Sequence, residues 1–107
     1  MNKISIYCIT NIELKYLEEL DLNLVGVGDK KFKNNYMMPV KGDNIQYKEK
    51  NYSELTFHYW FWKNKLKSFD KNLWIGFCQK RRFWLRSKKK ISNFEQLKKY
   101  ILKQPPK

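Results

Sequence analysis

The chain has 107 residues, 17% aromatic side chains and a formal net charge of +13. A chain of this length forms one small domain, placed here at residues 1–107, that buries about two thirds of its unfolded surface. Its aromatic content predicts an ordered core in spite of the many lysines. Cys8 and Cys78 lack CxxC spacing, and the first apolar run is too short for a membrane span and has no cleavage pattern. These features argue against a zinc site and a membrane helix, and we expect a soluble, cytoplasmic protein with buried thiols.

The positive charge is confined to the second half of the chain. Residues 1–54 carry eight lysines and eight acidic residues, whereas residues 55–107 carry fifteen basic residues against Asp70 and Glu95. Such an asymmetry favours an anionic partner, which would be nucleic acid, a phosphate-bearing metabolite or an acidic membrane surface. Coding bias is an alternative explanation for the scattered lysines, but it explains less well why all three arginines fall between Arg81 and Arg86.

In chain order, the first half predicts two strands and a long loop. "KISIYCIT" (residues 3–10) is a β-branched and aromatic run typical of a buried strand, and "IELKYLEEL" (residues 12–20) suits a short helix. "LNLVGVGD" (residues 22–29) is again strand-like and ends in turn-forming residues. Residues 30–50 show no periodicity and contain Pro39 and a "KGDN" turn. A loop of this length at the carboxyl end of a parallel strand is where open sheets bind ligands.

The second half predicts helix, strand and helix. Asn51 and Glu54 form a capping-box pattern, and the helical stripe that follows is expected to face the core. That stripe consists of Leu55, Tyr59, Trp62 and Leu66. Residues 70–72 end the helix, "LWIGFCQ" (residues 73–79) is a third buried strand, and residues 92–103 form a last amphipathic helix before Pro105 and Pro106. The order of elements predicts an α/β fold, a mostly parallel open sheet with flanking helices.

Motifs for familiar chemistry are missing. His58 is the one histidine, and it has no GxSxG or papain-like cysteine context, so a structural role is the simpler interpretation. The sequence contains no HExxH, DxD, Cys/His cluster, Walker motif or complete dinucleotide-binding glycine pattern. No metal and no cofactor is therefore predicted.

The basic segment "KRRFWLRSKKK" (residues 80–90) admits several interpretations. Interleaved rings and cations suit single-stranded nucleic acid, although the four tryptophans lie in a predicted helix and at a strand and its end, where burial is expected. Lys88, Lys89 and Lys90 would suit a peripheral contact with the inner face of an anionic membrane. A solvated loop explains the three lysines equally, and we favour it.

Arg81 and Arg82 directly follow the third predicted strand. Both guanidinium groups are therefore expected at the carboxyl edge of the sheet, beside the "KGDN" loop. Arginine makes forked, charge-assisted hydrogen bonds to phosphate, so a pyrophosphate would fit there. The alternative is that one arginine pairs with Glu54 or Asp43 and only fixes the loop.

Two blocks of the chain resemble the signature blocks of the family catalogued as domain of unknown function 4422. They are "GDNIQYKEKNYSELTFHYWFWKN" (residues 42–64) and "WIGFCQKRRFW" (residues 74–84), and the opening strand and "LVGVGD" also fit that family's start. The family stands among glycosyltransferase-like proteins with the nucleotide-sugar-binding fold called GT-A, often beside polysaccharide biosynthesis genes. The resemblance spans nearly the whole chain, and the members of the family are longer than this chain. We therefore expect the amino-terminal portion of a GT-A-like domain, which would be inactive if truncated.

The resemblance implies a nucleotide-sugar donor and transfer to a glycan or lipid-linked acceptor. Many GT-A enzymes end the strand after the donor-binding helix with DxD, which holds a divalent cation, and the matching segment here is "CQKRR". Arg81 and Arg82 would then supply positive charge without a metal, and Gln79 replaces the family's usual histidine. The residues assigned to donor and phosphate binding are Arg81, Arg82, Asn44, Tyr52, Glu54, Gln79 and Lys63. No catalytic residue is assigned, and a non-catalytic basic module for nucleic acid or another polyanion remains the alternative.

Overall fold

A four-stranded parallel sheet forms the centre of the structure, a computed structural model that describes residues 3–68, 73–88 and 90–102. The strands are β1 (Lys3–Thr10), β2 (Asn23–Gly26), β3 (Tyr36–Met37) and β4 (Leu73–Gln79). They lie in the order β3-β2-β1-β4, and each neighbouring pair is parallel. The predicted α/β class with an open, parallel sheet is thereby confirmed.

Helices cover both faces of the sheet. They are α1 (Lys15–Glu18), α2 (Glu49–Tyr52), α3 (Leu55–Asn64) and α4 (Phe94–Tyr100), with single 3₁₀ turns at Gln46–Lys48 and Leu66–Ser68. Side chains alternate across β1, so Ile6 and Cys8 pack with Leu17 of α1 and with Ile101 just after α4. Tyr7 and Ile9 point to the other face and pack against α3. Because β1 is buried on both faces, its sequence is a continuous apolar run.

Helix α3 buries a different stripe from the one predicted. Its core face consists of Phe57, Trp60 and Phe61, whereas Leu55 and Trp62 are 53% and 58% exposed. The prediction was wrong because both sides of this helix are apolar. The buried side is the one whose rings reach the sheet, since the ring centroids of Phe57 and Phe61 lie 5.3 and 5.4 Å from that of Tyr7.

The predicted capping box is also wrong. Asn51 lies inside the short helix α2, and Glu54 is the residue that precedes α3, without a side-chain capping bond. Between the two helices Ser53 adopts φ 50° and ψ −122°, and this sharp change of direction separates them. The chain therefore enters α3 through a strained backbone turn instead of an Asn cap.

The long loop is less irregular than predicted, because it contains β3. Tyr36 of β3 is buried, and its hydroxyl group accepts a hydrogen bond from the Leu14 N–H at 3.1 Å and donates one to Glu18 at 2.9 Å. Lys33 forms an ion pair with Glu18 at 2.8 Å. These contacts dock the first part of the loop against α1.

The last helix is shorter than residues 92–103. It begins after Asn93, whose side chain accepts a hydrogen bond from the Gln96 N–H, and it ends at Tyr100. Its partly buried Phe94 and Leu97 pack on the sheet with Ile101, as the amphipathic pattern predicts. The predicted helix stop at residues 70–72, and Lys89, Pro105 and Pro106, lie outside the described residues.

Candidate functional site

A crevice of about 200 Å³ opens at the carboxyl edge of the sheet. Strands β1, β2 and β4 all end here, which is the edge at which open parallel sheets hold their ligands. The residues that line it are Ile9, Thr10, Asn11, Val27, Ser53, Glu54, Gln79, Lys80 and Arg81. Most of the polar lining comes from the residues that directly follow β1 and β4 and from the segment that leads into α3.

A tight turn after β4 carries the basic residues of the crevice. The Gln79 N–H donates to the Arg82 carbonyl oxygen at 3.2 Å, and the Arg82 N–H donates to the Gln79 carbonyl oxygen at 3.1 Å. Lys80 and Arg81 therefore form the tip of a two-residue turn. The hydroxyl group of Tyr16 donates to the Lys80 carbonyl oxygen, and the Lys80 ammonium group donates to Asn11 Oδ1 at 2.8 Å. The tip is thus attached both to α1 and to the loop after β1.

The charge of Arg81 is not neutralised by a neighbouring acid. The ion pairs between residues in the ranges 3–68, 73–88 and 90–102 join Lys33 to Glu13 and Glu18, and none of them involves Arg81. Burial raises the pKa of the Tyr16 hydroxyl, and the positive charge of Arg81 acts in the opposite direction. Arg81 therefore presents a positive charge to the crevice that an anion could use.

The opposite wall of the crevice is formed by Ser53 and Glu54, at the amino end of α3. The Ser53 N–H donates to the Glu49 carbonyl oxygen at 2.7 Å, and the Ser53 carbonyl oxygen accepts from the Thr56 N–H at 3.1 Å. Among the described residues in the lining, Glu54 is the one carboxylate, facing a wall with Lys80 and Arg81. The crevice is therefore basic on the β4 side and mixed on the α3 side.

The structure brings together three of the seven residues assigned to the donor, namely Glu54, Gln79 and Arg81. Arg82 is not in the crevice, because the turn pairs it back with Gln79, and it lines a separate hollow with Phe83 and Trp84. The expectation that both guanidinium groups face one crevice is thus corrected. The expected pairing of an arginine with Glu54 or Asp43 is also not found among the described residues.

Asn44 and Lys63 lie away from the crevice. The "KGDN" loop is attached to the second half of α3, since Tyr59 donates to Asp43 Oδ1 at 2.9 Å and Asn64 donates to the Asp43 carbonyl oxygen at 2.7 Å. Tyr59 and Asn64 are five and ten positions beyond Glu54, which is about 8–15 Å along a helix. The predicted position of this loop beside the arginines is therefore wrong.

Lys63 and Tyr52 both lie on the surface. The Lys63 ammonium group is 4.2 Å from the centroid of the exposed Trp62 ring. Tyr52 is 44% exposed at the end of α2, next to Ser53 of the crevice wall. Neither residue belongs to the lining of the crevice.

Sequence reasoning missed Asn11, Ser53 and Lys80. Asn11 and Lys80 directly follow β1 and β4, so the rule that residues after parallel strands meet at one edge would have identified them. Ser53 had no comparable signal, because its position depends on the positive φ that separates α2 from α3.

The expected burial of the tryptophans holds for Trp60, at 5% exposed, and is wrong for the other three. Trp62, Trp74 and Trp84 are 58%, 64% and 56% exposed.

His58 is half-buried, and its ring centroid lies 4.6 Å from that of Phe77. Burial lowers the pKa of His58, while the charge of Glu54 acts in the opposite direction. That packing agrees with a structural role for the histidine.

The chain belongs to the family described as domain of unknown function (DUF4422), whose pattern it matches over residues 4–105. No curated protein and no solved structure matched the chain. In the part of the chain that the structure describes, no helix has the length and apolar character needed to cross a bilayer. The same residues contain no group of three or more His, Cys, Asp or Glu side chains suited to a metal ion.

Proposed function

We propose that this chain is the donor-binding part of a glycosyltransferase, and that the crevice binds the diphosphate of a nucleotide sugar. The observation that carries the proposal is Arg81, a guanidinium group without a carboxylate partner among the described residues, at the carboxyl edge of a parallel sheet. The resemblance of the family to GT-A proteins supports the same assignment. Transfer to a glycan or lipid-linked acceptor in polysaccharide biosynthesis would follow.

The size and charge of the crevice suit a diphosphate group. Its volume of about 200 Å³ is below the usual range of about 300–1,000 Å³ for sites that enclose a whole ligand. A diphosphate would fill it, and the base and the sugar would lie outside. Arg81 would make forked hydrogen bonds to the phosphate oxygens, with Lys80 and the Gln79 amide group adjacent.

The chemistry that these residues would support is stabilisation of a leaving group. When the glycosidic bond to the donor breaks, negative charge develops on the diphosphate, and a fixed cation at that position lowers the barrier. Two hydrogen bonds hold the backbone of the Arg81 turn, and the Tyr16 hydroxyl group attaches it to α1. The backbone that carries the cation would therefore be held in place before the donor arrives, and donor binding would not need a divalent metal.

Titration calorimetry with uridine diphosphate and guanosine diphosphate, in excess chelator, tests this proposal. We expect one of the two nucleotides to bind, Arg81→Ala to weaken that binding about tenfold or more because a charge-assisted bond is lost, and Arg82→Ala to leave it unchanged. Arg82→Ala is a matched control because it removes the same charge one residue away. Strict dependence on manganese or magnesium would contradict the metal-independent part of the proposal. Equal affinity of Arg81→Ala and the unmodified chain would contradict the role of Arg81.

A second candidate is a non-catalytic module that binds a polyanion such as single-stranded nucleic acid. The observation in its favour is that exposed indole rings lie beside cations, as with Trp62 and Lys63 or Trp84 and Arg82. Such binding would weaken steeply with salt, and it would not depend on Arg81 alone. Tight, salt-sensitive binding of oligothymidine together with no binding of either nucleoside diphosphate would favour this candidate.

A further inference from the structure

A second hollow of about 290 Å³ adjoins the crevice and has a different chemical character. Its lining consists of Phe77, Cys78, Gln79, Arg82, Phe83 and Trp84. Gln79 lines both the hollow and the crevice, so the two meet at this residue. A ligand with its anionic part at Arg81 could therefore extend past Gln79 into an aromatic environment.

The indole ring of Trp84 is exposed but firmly held. Its Nε1–H donates to the Phe77 carbonyl oxygen of β4 at 2.9 Å, and its own carbonyl oxygen accepts from the Leu102 N–H at 2.7 Å. The ring lies against the strand, since a Cβ atom at residue 76 would be 3.9 Å from Trp84 Cδ1, an ordinary contact distance. With 56% of its surface exposed, Trp84 forms a fixed aromatic platform that contributes little to the core.

The polar groups of the hollow are available for a ligand. Within the described part of the chain, the side-chain amide of Gln79 and the guanidinium group of Arg82 have no hydrogen-bond partner. Together they offer several N–H donors and one carbonyl acceptor, all of them planar groups. A ligand that stacks on Trp84 and presents adjacent oxygen atoms at its edge would satisfy these groups.

We propose that this hollow binds a hexopyranose ring. The proposal rests on the proposed function, and it names where the sugar would lie relative to the diphosphate. The apolar C–H face of a pyranose stacks on an indole ring. Its neighbouring hydroxyl groups accept forked hydrogen bonds from a guanidinium group, and they both donate hydrogen bonds to a side-chain amide and accept them from it. A nucleobase would also stack on Trp84, and the affinity of Trp84→Ala for the free nucleotide distinguishes it from a pyranose. The ring would belong either to the donor sugar or to the acceptor glycan.

The first experiment compares nucleotide sugars with the free nucleotide. Calorimetry would use uridine diphosphate, uridine diphosphate-glucose and uridine diphosphate-N-acetylglucosamine, with the guanosine diphosphate and guanosine diphosphate-mannose pair in parallel. We expect one sugar nucleotide to bind more tightly than its nucleotide, by about fivefold or more, as for a ring stacked on an aromatic side chain. Trp84→Ala should abolish that difference and leave the nucleotide affinity unchanged. Trp74→Ala, another exposed indole on β4 but outside the hollow, should preserve both affinities.

The second experiment separates this inference from the proposed function. The indole N–H signal of Trp84, assigned through Trp84→Phe, is followed by NMR during titration with maltotriose and cellotriose, which carry no phosphate. A shift of that signal with an oligosaccharide but not with any sugar nucleotide would assign the ring to the acceptor, and it would support the hollow even if no nucleotide bound. No shift with any sugar, free or nucleotide-linked, would overturn the inference. Loss of free-nucleotide affinity in Trp84→Ala would also overturn it, because the ring in the hollow would then be the base.

Discussion

Replacing Ser53 by glycine should stabilise the protein, although the change lies in the wall of the crevice. Ser53 has φ 50° and ψ −122°, the conformation of the first central residue of a type II′ turn, which glycine dominates. Holding a residue with a Cβ atom in such a region costs about 1–3 kcal/mol. Glycine also makes the unfolded chain more flexible, which removes about 0.4–1 kcal/mol of that gain. The net expectation is a gain of about 1 kcal/mol, or about 4–8 °C in Tm for a domain of this size.

Thermal and urea unfolding followed by circular dichroism measure the effect of Ser53→Gly. Ser53→Ala is the matched control, since it removes the hydroxyl group but keeps the Cβ atom and therefore the strain. We expect Ser53→Gly to be more stable than both Ser53→Ala and the unmodified chain. If Ser53→Gly were no more stable than Ser53→Ala, the backbone at residue 53 would not be strained. Any change in stability relative to the unmodified chain would then come from loss of the hydroxyl group.

Three further predictions concern the packing around the sheet. Phe57→Ala should cost about 3–5 kcal/mol in urea unfolding, because the side chain is fully buried between α3 and the sheet. Tyr36→Phe should cost about 1–3 kcal/mol, since the Leu14 N–H and the Glu18 carboxylate lose their shared partner, and the loss should show as a lower urea midpoint. The pKa of His58 is lowered by burial, so the unfolded chain binds the proton more readily, and stability should fall as the pH drops below about 6.5. His58→Gln should flatten the stability profile between about pH 5 and 7, and an unchanged slope would show that other groups are responsible.

The strands could be predicted from the sequence, because a strand buried on both faces needs a continuous apolar run. "KISIYCIT" became β1, which is buried on both faces. "LWIGFCQ" became β4, but the prediction that this strand is buried was wrong, because β4 lies at the edge of the sheet and Cys78 is the one residue of it that is buried. The face of α3 could not be predicted in the same way, since apolar residues occupy both of its sides. Contacts with Tyr7 and Phe77, far away in the sequence, decide which side is buried. Strand β3 has two residues and was missed because the docking of Tyr36 on Glu18 leaves no periodic pattern.

The location of Arg81 could be predicted and that of Arg82 could not. Residues that directly follow a parallel strand lie at its carboxyl edge, and this rule applies to Arg81. Arg82 depends on the geometry of the turn, which brings its backbone back to Gln79 and directs the two arginines to different hollows. The position of the "KGDN" loop likewise depends on hydrogen bonds from Tyr59 and Asn64, which no local pattern indicates.

Backbone amide shifts during a titration with the nucleoside diphosphate test most directly whether the crevice is a diphosphate site. A ¹H–¹⁵N correlation spectrum of the uniformly labelled chain in excess chelator would follow Asn11, Ser53, Lys80 and Arg81 against α4 as a remote reference. We expect saturable shifts concentrated in the residues that line the crevice and absent in Arg81→Ala. Shifts spread over the basic residues of α4 and the segment before it, with none at Asn11 or Arg81, would contradict the proposed site.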